Sequence, residues 1–107
     1  MVLLMERSMA LKRFGFVVTG AGLDPAVHRM TMASQTFTMT VIGVPDPAAG
    51  AAAAIDLRDT GHELIELCGG FGPVWTGKII EAVGPAIPVG SVGYGPESIA
   101  AMHRLFA

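Results

Sequence analysis

Glu66 and Cys68 stand two residues apart in the run Glu63-Leu64-Ile65-Glu66-Leu67-Cys68, the pair in this sequence best spaced for proton-transfer or thiol chemistry. An acid inside an otherwise apolar strand is costly unless it is paired. Glu66 therefore reads as a general base or a ligand to a cation, with a structural salt bridge as the alternative. Cys68 closes the same strand just before a proline-led helix, a setting that activates thiols, although a single apolar-flanked cysteine is more often inert. Tyr94, between Gly93 and Gly95, presents a hydroxyl to a substrate, closes a pocket, or packs against another subunit. Thr19-Gly20 and Gly69-Gly70 supply turns in which backbone N–H groups can approach a ligand without side chains between them. His28 and Arg29 fall near the same turns and are candidates for substrate binding, or else form a solvated helix face. His62 and His103 read as structural.

These residues need a frame, and the chain repeats one four times. An apolar, β-prone segment runs into a Gly- or Asp-bearing turn and then through a proline into a helical pattern, the prolines being Pro25, Pro47, Pro73 and Pro96. Proline suits the first helical turn, where its missing N–H has no intrahelical partner, and Asp24 and Asp46 suit the N-cap before it. The prolines lie 22, 26 and 23 residues apart, the length of one strand, one turn and one three-turn helix. The spacing predicts an α/β fold: a four-stranded parallel (βα)4 sheet in a flavodoxin-like or Rossmann-like three-layer arrangement. Helix one is expected over Ala26 to Met32, and an Ala-rich second helix is broken by Gly50. Trp75, Ile79 and Val83 form the stripe of helix three; Ile99, Met102, His103 and Phe106 form that of helix four. The second strand alternates Phe37, Met39 and Val41 with threonines, which suits an edge and favours the strand order 2-1-3-4. Two copies joined as half-barrels are a minor alternative.

In such a sheet all carboxyl ends meet at one edge, where the helix amino termini converge with partial positive charge. An anionic small molecule, phosphate or carboxylate, is the expected guest, with Thr19, Gly20, His28, Arg29, Gly69, Gly70, Gly93 and Gly95 as binding residues. Glu66, Cys68 and Tyr94 are the catalytic candidates. The glycine turns match neither the dinucleotide fingerprint nor the Walker pattern, so no nucleotide cofactor is expected. No HxxxE, HExxH or paired-cysteine spacing supplies a metal site.

With 107 residues, 51% apolar and 15% charged, the chain suits one domain over 9–107, preceded by an extension over 1–8. Seven Lys and Arg against nine Asp and Glu, without a run of either sign, argue against nucleic acid as a partner. No signal or membrane span is read from the sequence, and the single cysteine fits a reducing cytoplasm. So few charges also point to a surface covered by another copy, hence a homo-oligomer.

The runs Glu66-Leu67-Cys68-Gly69-Gly70-Phe71-Gly72-Pro73 and Val92-Gly93-Tyr94-Gly95-Pro96-Glu97-Ser98 carry a resemblance, from Met9 onward, to a family of short bacterial proteins of unknown function. The resemblance implies a stand-alone domain of this length and no assigned activity. The functional expectation is a binder of an anionic metabolite, as an isomerase- or lyase-type enzyme; a non-catalytic ligand sensor and a structural oligomer are the alternatives.

Overall fold

A computed structural model describes residues 10–106. The first β-strand, β1 (Arg13–Thr19), is followed by a hairpin of β2 (Arg29–Ala33) and β3 (Thr38–Val44). Then come α1 (Gly50–Asp59), β4 (Leu64–Leu67), α2 (Gly72–Val83), β5 (Val89–Ser91) and α3 (Ile99–Phe106), each helix preceded by a 3-10 turn. The sheet order is β2-β3-β1-β4-β5. Strands β3, β1, β4 and β5 are parallel, and β2 runs antiparallel to β3. The four expected strands thus take their expected order, within a mixed sheet of five. The extension expected over 1–8 lies outside the described residues.

Two expectations are corrected at the first unit. Residues 26–32 do not form a helix, and the strand at Thr38–Val44 is not the edge, because β2 covers it. Asp24 does cap a turn: its carboxylate accepts the Ala26 N–H, and its carbonyl accepts the N–H groups of Val27 and His28. Only one turn forms, because no apolar stripe of helical period follows it. Met30 and Met32 instead alternate with Arg29, Thr31 and Ala33, a period of two that satisfies a strand. Ser34 closes the hairpin, its hydroxyl accepting the N–H groups of Thr36 and Phe37. Pro47, Pro73 and Pro96 do start their helical segments.

The pleat sorts the sheet residues between two faces. Gly15, Val17, Ile42, Ile65 and Leu67 share one face, and α1 packs there on β1, β3 and β4. Helix α2 lies beside α1 and covers β5, burying Ile79 and Val83 with Trp75 at the margin. Leu57 seats directly on Gly15, where an added Cβ would come within 2.9 Å of its Cδ1. Ala53 and Ala54 are buried, and at Gly50 a Cβ would overlap the Phe71 ring. The smooth Ala-rich helix therefore serves close packing inside the chain. His62, 5% exposed, ties the end of α1 to β3: Nδ1 lies 3.0 Å from the Leu57 carbonyl and Nε2 2.9 Å from the Thr40 hydroxyl.

Phe14, Phe16, Val18, Met39 and Val41 point to the other face by the same alternation, with Met30 and Met32 beside them on β2. The missing first helix leaves this face without α1 or α2. Helix α3 packs chiefly on the 3-10 turn before it and buries none of its residues, so its stripe does not cover the sheet as expected.

Candidate functional site

The parallel strands end at Thr19, Val44, Leu67 and Ser91, and the chain leaves each through a turn at the same edge. Backbone bonds tie these exits together: the Gly20 N–H reaches the Val44 carbonyl, Cys68 reaches Val17, and Val92 reaches Leu67. Against them lies a groove of about 650 Å³ lined by Thr19, Cys68, Gly69, Gly70, Tyr94, Met102, Leu105 and Phe106. A second recess of about 410 Å³ shares Gly69, Tyr94 and Met102 with it and extends to Gly93 and Gly95.

The floor of the groove is polar and close-packed. The Cys68 thiol accepts the Thr19 N–H at 3.3 Å and lies 3.3 Å from the Thr19 hydroxyl. A Cβ on Gly70 would come within 2.5 Å of the Thr19 Oγ1, and one on Gly69 within 2.8 Å of the Tyr94 ring. Both glycines are thus required for close approach, and their backbone forms the wall that precedes α2. The opposite wall is apolar, made by Met102, Leu105 and Phe106 on α3. Among the described residues no Lys, Arg, His, Asp or Glu lines the groove.

Of the sequence candidates, Thr19, Cys68, Gly69, Gly70 and Tyr94 come together here, with Gly93 and Gly95 in the adjoining recess. Gly20 lies behind them, packed under Leu23. His28 and Arg29 are elsewhere, bordering a recess of about 370 Å³ with Val18, Val27 and Met30. His28 Nδ1 accepts the Asp24 N–H at 2.8 Å, and the Arg29 guanidinium pairs with Asp56 on α1. Glu66 is half-buried on β4, in register with Phe16 and Gly90, on the face opposite Ile65 and Leu67. It is not among the residues lining the groove, whereas Cys68, outside the strand, turns to pack against the core. Sequence reasoning missed Met102, Leu105 and Phe106 as groove residues. Their amphipathic spacing was the available signal, and it equally suits a helix lying on the sheet.

Charge is sparse at this edge and organised at the other. Glu63 Oε1 accepts the N–H groups of Lys12 at 2.8 Å and Arg13 at 2.9 Å, and these bonds hold its carboxyl below the usual carboxylate range. Among the described residues no three His, Cys, Asp or Glu side chains converge as metal ligands. No described helix is long and apolar enough to cross a membrane.

The model of a family of unknown function, DUF6506, matches residues 12–107. The chain belongs to this family. Comparison with curated proteins and with solved structures gives no match. The match takes in the residues lining the groove and all five strands of the sheet.

Proposed function

We propose that the groove at the carboxyl edge binds a small molecule with an acidic head and an apolar body, as a ligand-binding rather than a catalytic site. The observation that carries this reading is the split lining: hydroxyl, thiol and glycine backbone at Thr19, Cys68, Gly69 and Gly70, against Met102, Leu105 and Phe106. About 650 Å³ is the size of small-molecule sites, which are mostly apolar with a few placed polar groups. The head faces the turn that begins α2, where backbone N–H groups and the helix dipole favour negative charge. With no Lys or Arg among the described residues of the lining, a carboxylate is favoured over the more highly charged phosphate. Glu66 on the other side of β4 argues for binding without proton abstraction, since a general base must come within hydrogen-bond reach of the proton it takes.

A thermal-shift screen of carboxylated and phosphorylated metabolites tests this directly. Carboxylates with an apolar tail are expected to raise Tm, with binding retained in Glu66→Gln and lost in Gly70→Ala, whose Cβ would meet Thr19 Oγ1. Stabilisation by phosphates alone, or binding that survives Gly70→Ala and fails in Glu66→Gln, would overturn it.

A further inference from the structure

The groove and the recess beside it lie end to end along one stripe of α3. Ile99 borders the recess, Met102 borders both hollows, and Leu105 and Phe106 wall the groove. These residues recur at i, i+3, i+6 and i+7, so they share one helix face and run ~10 Å along it. Gly69 and Tyr94 are the other two residues common to both hollows. Gly69 brings no side chain, so the side chains at the boundary are those of Tyr94 and Met102. They part about 650 Å³ on one side from about 410 Å³ on the other. The Tyr94 ring has a seat there, since a Cβ on Gly69 would come within 2.8 Å of its Cε2. The ring is nonetheless 61% exposed and takes no part in the buried core, and a Cβ on the neighbouring Gly93 would meet nothing within 4 Å.

We infer that Tyr94 sets the length of the ligand: its ring divides one elongated apolar channel in two and stops an unbranched chain at the end of the groove. The apolar body of the carboxylate proposed above, on which this assignment rests, is then a straight alkyl chain, because a chain is what fits a stripe one helix face wide. With the head at Thr19 and Gly70, a chain lying along α3 toward its amino end meets the ring beside Met102. Beyond the ring, the recess offers Pro73, Val92 and Ile99 as further apolar wall. A ring that stood clear of the backbone would need no glycine beneath it, so the close seat on Gly69 marks the dividing position as the built one. Each methylene taken out of water is worth about fourfold in affinity, so a chain gains with every carbon until it reaches the ring and gains little after it.

Isothermal titration of the full chain with straight-chain carboxylates from butanoate to dodecanoate, and with the n-alkanols of the same lengths, tests this role. In the wild type, affinity should rise about fourfold per methylene and then level off. Tyr94→Ala should weaken the shortest chains, which lose the ring as an end wall, yet bind the longest at least ~10-fold tighter than the wild type does. A substitution that merely loosened the fold would weaken every length alike. Tyr94→Phe keeps the ring and should keep the wild-type plateau. Tyr94→Leu should move the plateau in the same direction as Tyr94→Ala, and it decides the matter if the alanine variant does not fold. A wild-type rise without a plateau, an unchanged length profile in Tyr94→Ala, a uniform loss at all lengths, or a plateau that moves in Tyr94→Phe would each overturn the inference. The alkanols separate it from the reading of the acidic head. Carboxylates that bind with no shift of plateau would remove the role of Tyr94 alone. Alkanols whose plateau shifts, with carboxylates binding no better than they do, would keep that role and remove the acidic head. Binding by neither series would remove both.

Discussion

The two sides of one sheet are built from alternate residues of the same strands and end up in opposite conditions. On one side Val17, Ile42, Ile65 and Leu67 are sealed beneath α1 and α2. On the other, Phe14, Phe16, Met39 and Val41 are only half-buried, and Met30 and Met32 lie open. Composition does not separate the faces, since both are apolar. What separates them is the connection: β3 to β4 and β4 to β5 each cross over through a helix, whereas β1 reaches β3 through a hairpin strand. Right-handed crossovers moving in one direction place their helices on one side. The hydrophobicity of a strand face therefore says that it must be covered, and the topology says whether the chain covers it itself.

Single substitutions sharpen this contrast, the covered face responding most. Leu57 is fully buried on Gly15, and Leu57→Ala should destabilise the fold by about 2–5 kcal/mol. Met32→Ala, at concentrations low enough to hold the chain monomeric, should stay within ~0.5 kcal/mol. Urea unfolding followed by circular dichroism measures both, and equal losses would erase the distinction between the faces. A smaller effect is expected at Gly50, on the covered side. Helix propensity alone makes Gly50→Ala stabilising by up to ~1 kcal/mol. The Cβ would overlap Phe71 and come within 2.8 Å of Ile79 Cδ1, so a net loss of about 1–3 kcal/mol is expected instead. A gain in the same urea assay would mean that the α1–α2 contact is looser than its geometry.

The smallest effect belongs to the exposed Glu63. Its carboxylate is favoured in the folded state by the Lys12 and Arg13 N–H groups, so the folded pKa lies below the unfolded one. The resulting stability is present above the ordinary carboxylate range and is lost as pH falls through it toward the lowered folded value. Glu63→Gln should flatten this acid limb slightly by lowering the neutral-pH midpoint, with the least change at pH 3. Midpoints measured from pH 7 to pH 3 check it; an acid limb as steep in Glu63→Gln as in the wild type would assign the acid sensitivity elsewhere.

Much of the frame was legible because its signals are local. Pro47, Pro73 and Pro96 mark helical starts, and the apolar runs mark the four parallel strands. The first unit misled because Asp24-Pro25 is a real cap that starts one turn and no more, its continuation being decided by pairing with β3. At the site, the Gly69-Gly70 turn and the glycine-flanked Tyr94 were visible as residues of the edge where the strands end. Glu66 was read with Cys68 because they are two apart, but the strand ends at Leu67, and Cys68 leaves the alternation to meet Thr19.

The residue order by itself determined the α/β class, the helical starts at Pro47, Pro73 and Pro96 and the apolar runs of the parallel strands, because periodicity, caps and strand length act within a few residues of chain; the order 2-1-3-4 was reached through an edge assignment that β2 overturns. Only the tertiary structure decided that β2 replaces a helix, that α3 walls a groove instead of covering the sheet, and that Gly50 is a packing contact. Each of these turns on which distant surface an apolar side chain meets, and an amphipathic stripe specifies burial without naming its partner.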